Sequence, residues 1–410
     1  MKTLLKSLAV MMPIALLSLP TITYCEPNQQ LPIKQLSLKQ VLAKAVKHQQ
    51  KSDQSSSQEA LSFKSSSWLA TTPSLGISLL KGQGEHAADE TELRLNLPFN
   101  SNFQREINRQ LITIEQKIKN QQLKKQHLFL SGLIREALWN YRLTQAKQDF
   151  LHKKQTTLQK LAANSKQLML AGESSEYNLL LIEKEINNTK IEFLDNSQKF
   201  GHWLFQYQKV TGQASIPVAI PAAISEEELT EELWKINNHP ILELQKLYWQ
   251  QTRLKMKMDS SDASPWNVSL TAKKTEQLNI SDDQIGISVE LPITFIDANS
   301  QTLTNQWNQQ KRAFDINLQN NRLQLQKQKN QQLRNRDVLL KKENILKKSV
   351  NLSQAIMSQI DQLKAQNEIG QAVILRQVLD ALETQYQFNV TQLQLMQNNS
   401  MSRQAAGISL

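Results

Sequence analysis

The chain has 410 residues, a formal net charge of +11, 21% charged residues and a single cysteine. That length allows two or three compact domains, and a mean hydropathy of −0.48 argues against a bundle of membrane-spanning helices. Basic residues are scattered along Gln-rich segments among Glu and Asp; no dense basic block interleaved with aromatics marks a nucleic-acid partner.

Lys2 and Lys6 precede an apolar run, Leu8 to Leu19, broken only by Pro13 and Ser18; polar Glu26, Pro27 and Asn28 follow. This is the pattern of a secretory signal peptide over residues 1–25, too short to remain as a spanning helix. Cleavage is expected after Cys25, with Thr23 at the third position back; acylation of Cys25 would want small residues before it, and Tyr24 is large. Losing Lys2 and Lys6 takes the net charge from +11 to +9. One cysteine permits no disulfide within the chain. Stability must come from burial, including burial between subunits.

Residues 26–212 read as a first structural unit. Ser37 is placed to cap a helix running to Trp68, with Leu38, Leu42, Ala45 and Val46 on one face. The period then falls to two. Leu75, Ile77 and Leu79 alternate with Ser74, Gly76 and Ser78; Leu93, Leu95 and Leu97 alternate with Glu92, Arg94 and Asn96. Strands are expected over 73–81 and 90–97, joined by a turn holding Gly82 and Gly84 and ended by Pro98. A long helix follows over 99–170. It carries a narrow seam of coiled-coil type at Ile107, Leu111, Ile114 and Ile118, spaced 4, 3 and 4. Gly172 suits the left-handed position after a helix end, and Ser174 or Ser175 can cap a return helix over 175–210.

Residues 213–225, with Pro217 and Pro221, form a linker, and 226–410 repeat the order. A helix begins near Leu229 and Leu233, passes His239-Pro240 and reaches about Asp259. Strands over 265–274 and 284–291 flank a polar turn, Thr275 to Asp283; a long helix over 297–367, the stop at Gly370 and a helix over 371–404 complete the unit. Landmarks recur at similar offsets: His48 to His239 is 191 residues, Pro73 to Pro265 is 192, Pro98 to Pro292 is 194 and Gly172 to Gly370 is 198. The chain is a tandem duplication.

Four half-apolar strands need closure. Alternation of this kind is the signal of a membrane barrel, and lipid does not tolerate unpaired sheet edges. Several chains must therefore contribute; two give eight strands, three give twelve. A soluble sheet buried on a helix is the other account, against which stand the signal peptide and rods too long for a globule. In a barrel the apolar faces meet outer-membrane lipid, while Glu92, Arg94, Asn96, Asn267, Ser269, Thr271, Lys273, Ser288 and Glu290 face the lumen. The turns at Gly172 and Gly370 lie about 100 Å from the barrel by the helix rise. Glu173, Glu176 and Glu368 either ring an entrance there or simply sit at helix ends, where negative charge is favoured. The six histidines form no pair at metal-ligand spacing, no Gly-x-Ser-x-Gly turn frames a serine, and no glycine-rich loop opens a helix. No catalytic residue, metal or cofactor is expected, and no enzyme.

Three segments carry a resemblance. They are Leu36-Ser37-Leu38 with the junction Leu97-Pro98-Phe99, the strand end Gly286 to Pro292, and the tip-and-return segment from Gly370 through Val378-Leu379-Asp380-Ala381. In the duplicated order they make the mature chain resemble the TolC-like outer-membrane efflux protein family. The resemblance implies a mixed α and membrane-β fold: long α-helical hairpins forming a periplasmic tunnel, and four strands per chain in a trimeric, twelve-stranded outer-membrane barrel. It implies an exit duct for efflux or type I secretion in a Gram-negative outer membrane, with a large periplasmic extension. The partners implied are a periplasmic adaptor, docked at Ala171, Gly172, Glu173, Ile369, Gly370 and Gln371, and an inner-membrane pump of RND or ABC type. The alternative is a periplasmic coiled-coil adaptor, which would need a single hairpin flanked by compact β-rich domains.

Overall fold

The computed structural model describes residues 37–54, 68–84, 87–214, 216, 234–259, 265–278, 280–291, 301–365 and 370–410. In chain order the elements are α1 (Leu38–Gln54), β1 (Ser74–Leu80), β2 (Asp89–Phe99), α2 (Asn102–Leu170) and α3 (Glu176–Thr211). After a single 3-10 turn, Ile236–Asn238, come α4 (Pro240–Met258), β3 (Trp266–Gln277), β4 (Ile280–Glu290), α5 (Gln301–Ala365) and α6 (Gln371–Ala405). Helix, strand pair, long helix and return helix occur twice in the same order. Residues 1–25, expected to be a signal peptide, most of the expected 213–225 linker, Pro292 and residues 366–369 lie outside the described residues.

Helix starts follow from local chemistry. Ser37 Oγ accepts from the Gln40 backbone N–H while Gln40 Oε1 accepts from the Ser37 N–H. Ser101 and Gln104 make the same reciprocal pair at the head of α2. The 69 residues of α2 span about 104 Å. Its one glycine, Gly132, lies against α6: a Cβ there would stand 2.9 Å from Gln404 Nε2.

Three boundaries differ from the sequence reading. Pro98 does not end β2, which runs on to Phe99, and the long helix starts at Asn102 instead of 99. Pro98 pairs with Asn267 of β3, while the last ladder partner from β1 is Ser74, opposite Asn96. Its carbonyl accepts from Ala70 on the β1 side, so its missing N–H also faces that side, beyond the end of β1, where no ladder bond is lost. Second, the helix before the second strand pair does not pass through His239-Pro240 but starts at Pro240, after the 3-10 turn; Leu229 and Leu233, where the sequence reading began it, lie outside the described residues. The residue before a proline is steered out of the α region; His239 is extended (φ −62°, ψ 133°) and caps the helix through Nδ1, which accepts from Ile241 N–H at 3.3 Å. Third, β3 and β4 are longer than expected and only residues 278–279 separate them, Gln277 pairing with Ile280.

Two predictions arise here. His239 is 3% exposed, and burial lowers its pKa to about 4. The unfolded imidazole, near 6.5, therefore takes up a proton that the folded one refuses. Stability is expected to fall as pH drops from about 6.5 towards 4, by about 3 kcal/mol in full, and to be flat above. Thermal midpoints from pH 4 to 7 check this, and His239→Asn, which keeps a capping acceptor, should flatten the curve. At the β3–β4 turn Leu278 has φ +47° and an exposed side chain. Leu278→Gly removes the left-handed cost and is expected to stabilise the hairpin by about 1 kcal/mol, read as a higher urea midpoint.

The four strands form one antiparallel sheet in the order β1-β2-β3-β4. The helices form a ribbon: α3 packs on α2, α2 on α6 and α6 on α5, with α1 and α4 laid across the α2–α3 and α2–α5 sides. A core cluster joins Val41, Leu42 and Ala45 of α1 to Ile134, Leu138 and Trp139 of α2 and Tyr207 of α3. Burial pushes the Tyr207 hydroxyl up to about 12. The duplication reaches the side chains. Thr189 and Asn196 on α3 are buried, as are Thr391 and Asn398 on α6, each pair 202 residues after its counterpart. Asn196 donates to the Thr144 carbonyl of α2 and Asn398 to the Gln332 carbonyl of α5.

Candidate functional site

The ladder register sorts the sheet into two faces. Glu92 lies opposite Lys273, Arg94 opposite Thr271, and Asn96 opposite Ser269; Ser269 in turn opposes Ser288, and Asn267 opposes Glu290. All nine residues expected to face a lumen thus share one face. They bond to one another and to Glu90 on the same face: Arg94 Nη2 to Glu92 Oε1 at 2.7 Å, Ser269 Oγ to Asn96 Oδ1 at 2.8 Å, and Lys273 Nζ to Glu90 Oε1 at 2.8 Å. The sequence reading missed Glu90, which its parity with Glu92 signals. The opposite face is apolar from the helix end as far as Ile77 and Ile285, and it is open: Ile285 is 91% exposed, Ile287 72% and Ile77 69%. A sheet with one polar face and one greasy exposed face is built to meet water and hydrocarbon at once.

Both layers end open. Among the described residues β1 and β4 each have one neighbour and one bare edge. At the ends of the helical ribbon α3 exposes Tyr177, Ile191 and Phe205, fourteen residues apart, with Leu180 and Leu194 between them. The outer helix at the other end, α5, exposes Ile316 and Leu323, then Val338, Ile345 and Leu352, at sevenfold spacing. These are coiled-coil seams that face no helix among the described residues. The sequence reading found the inner seam of α2 and missed these two, although the heptads were there to count.

Sheet and rod join directly. Between Phe99 and Asn102 only Asn100 and Ser101 intervene. Asn100 is buried and its Nδ2 donates to the Leu69 carbonyl, while its backbone N–H reaches the Trp68 carbonyl. The Trp68 and Phe99 rings lie 5.5 Å apart, and Trp266 pairs with Phe99 across the ladder.

At the far end of α2 the chain turns in a Schellman motif. Glu173 N–H bonds the Leu168 carbonyl, Gly172 N–H bonds Met169, and Gly172 has φ +77°. Ala171 and Glu173 are exposed around it. Ser175 occupies the cap position of α3 without a side-chain cap bond. Ser174 instead donates to Gln371 Oε1 at 2.9 Å, and the buried Ser165 of α2 donates to the same oxygen at 3.0 Å. Gln371 heads α6, so one amide carbonyl ties the two hairpin tips together. Gly370 caps α6 with φ −71°. Ile369 and Glu368 lie outside the described residues. Glu173 and Glu176 are exposed.

Further along, the hairpins are pinned by charge and by rings. Lys154 Nζ lies 2.6 Å from Glu185 Oε1. Burial alone would raise the Glu185 carboxyl, but the Lys154 hydrogen bond and charge outweigh it and hold it below the usual range. Phe150 of α2 stacks on Tyr386 of α6 at 4.4 Å, and Lys147 sits over both rings. Among the described residues no helix is long and apolar enough to cross a membrane, and no three metal-ligating side chains converge.

No family model matches the sequence, and no curated protein matches it. Solved structures do match its fold. The channel-forming CusC superposes with a TM-score of 0.62 at 13% identity, covering 91% of this chain and 92% of its own. The outer membrane protein VceC of Vibrio cholerae gives 0.60 at 14%, covering 92% and 94%. The open state of the MtrE outer membrane channel of Neisseria gonorrhoeae gives 0.60 at 12%, covering 90% and 86%. The resemblance carried by the strand-to-helix junctions therefore holds at the level of the fold: almost end to end, this chain is folded like these outer-membrane channels.

Proposed function

We propose that the chain is one protomer of a homotrimeric exit duct in the outer membrane of a Gram-negative bacterium, with its long hairpins extending into the periplasm. The observation that carries this is the sheet: polar on one face, exposed and apolar on the other, bare at both edges, and continuous with a 69-residue helix. β1 of one protomer closes on β4 of the next, and the α3 seam on the α5 seam of the next, so three arcs make a twelve-stranded barrel over a tunnel. The nine polar-face residues then line the barrel lumen. The likeness to channel structures of the same fold supports the reading. The duct is passive and not an enzyme; a periplasmic adaptor seated on the tips at Ala171–Glu173 and Ile369–Gln371, and an inner-membrane pump of RND or ABC type, supply opening and energy. Glu173, Glu176 and Glu368 border the entrance.

Fractionation and conductance test it. The protein is expected in the outer membrane, running as a trimer in mild detergent and conducting in planar bilayers. A monomer without conductance overturns the proposal, and a soluble periplasmic or inner-membrane location returns the adaptor reading. The Gln371 link gives a sharper prediction. Gln371→Leu deletes two neutral hydrogen bonds between hairpins, together about 2 kcal/mol, and resting conductance is expected to rise by about thirtyfold. Gln371→Glu, which still accepts from both serines, should stay near the parent value.

A further inference from the structure

We infer that the outward face of the sheet fits a bilayer with a thin hydrocarbon core, and that its last two rows of side chains lie among lipid headgroups. The inference rests on the barrel reading above. Cross-strand register arranges this face in rows. Four rows are apolar, from the Phe99–Trp266 pair to the row of Ile77, Leu93, Ala272 and Ile285. The next row is Leu79, Thr91, Lys274 and Asp283, and the one after it Asp89, Glu276 and Ser281. Backbone pairing of β2, β3 and β4 continues unbroken through both, so the sheet goes on after its grease has stopped.

The height of the apolar belt follows from the strand rise. Phe99 to Leu93 is six residues of β2, about 20 Å along the strand at about 3.4 Å per residue. Tilted by about 40°, as barrel strands are, that is about 15 Å along the membrane normal, against about 25 Å for the usual outer-membrane belt. Both limits are marked chemically. At the helix end the rings of Trp68, Phe99 and Trp266 form the kind of aromatic girdle that sits at an interface. At the turn end Lys274 Nζ pairs with Glu276 Oε1 at 2.5 Å on the outward face, and Asp89 Oδ1 accepts from Gly82 N–H. Charges on a lipid-facing strand are costly at mid-depth and nearly free at the interface. Lys274 and Asp283, directly opposed across the ladder, therefore belong at headgroup level. A bilayer of ordinary thickness would bury that row in acyl chains, or leave the aromatic end stranded in hydrocarbon.

The test reconstitutes the detergent-purified assembly into vesicles of didecanoyl, dilauroyl, dimyristoyl or dioleoyl phosphatidylcholine and measures its thermal midpoint in each. The midpoint is expected to be highest in one of the two shorter lipids and to fall steadily through dimyristoyl to dioleoyl. The triple variant Thr91→Leu, Lys274→Leu, Asp283→Leu adds one apolar row, and its optimum should move to the next longer lipid. Ser78→Leu, on the other face of β1, should leave the optimum in place. A parent optimum in dioleoyl vesicles, or a triple variant with an unmoved optimum, overturns the inference while leaving the barrel intact. An assembly that enters none of the four lipids overturns the barrel reading itself, and this inference with it.

Discussion

Ile287→Arg is expected to keep the protein out of the membrane as a stable assembly, whereas Ser288→Arg, one residue on, is expected to be carried normally. The two positions are neighbours on β4 and face opposite ways: Ile287 pairs with Leu270 in the apolar rows, Ser288 with Ser269 in the polar ones. Arginine in the middle of a lipid-facing band costs about 2–4 kcal/mol, and the proposed trimer would place three of them around one barrel. Ser288 is exposed on the face where Glu92, Arg94 and Lys273 already bring charge. The readout is the heat-resistant oligomer in outer-membrane fractions, absent for Ile287→Arg and near parental for Ser288→Arg. If both variants assembled equally, the apolar face would not meet lipid.

The second large effect belongs to Arg135. This side chain is 1% exposed in the middle of α2. Its Nη1 donates to Gln404 Oε1 at 2.6 Å and to the Ile408 carbonyl at 3.0 Å. Around it Gln404 Nε2 donates to the Leu128 carbonyl, and Leu410 N–H donates to Ser131 Oγ. One guanidinium thus holds residues 404–410 against the rod. Arg135→Met keeps most of the volume and removes the donor, leaving two half-buried acceptors without it. A loss of about 3 kcal/mol is expected, seen as a lower denaturation midpoint in detergent and as early proteolysis of the segment after Gly407. Arg135→Lys, which keeps the charge on a smaller donor, should recover part of the loss.

What was legible in the sequence was whatever repeats locally. Period two exposed the strands, the 4-3-4 seam exposed the rod, and the offsets near 191–198 exposed the duplication. The strand ends were not legible, because the alternation was read as the strand. At Lys274, Glu276 and Asp283 the outward face turns polar while pairing continues, so a pattern of grease stops before the backbone does. Pro98 misled for a related reason: a proline ends a strand only where its N–H side faces a partner, and that depends on where β1 begins. The tip was legible as a place through Gly172 but not as a mechanism. Ser174 and Gln371 are 197 residues apart, and Arg135 and Gln404 are 269 apart; no local signal announces such pairs.

The open ends of the arc have a consequence for how the molecule comes into being. A lone protomer carries two bare strand edges, an uncovered apolar sheet face and two unpartnered heptad seams. Each is a template for adhesion to the wrong neighbour. In the proposed trimer its native shape is therefore not a property of one chain but of three meeting at sufficient concentration, and its stability obeys mass action. Dilution should undo the fold as surely as heat does. Between export and assembly the chain is at its most vulnerable, and escort through that interval becomes as much a condition of function as any residue in the pore.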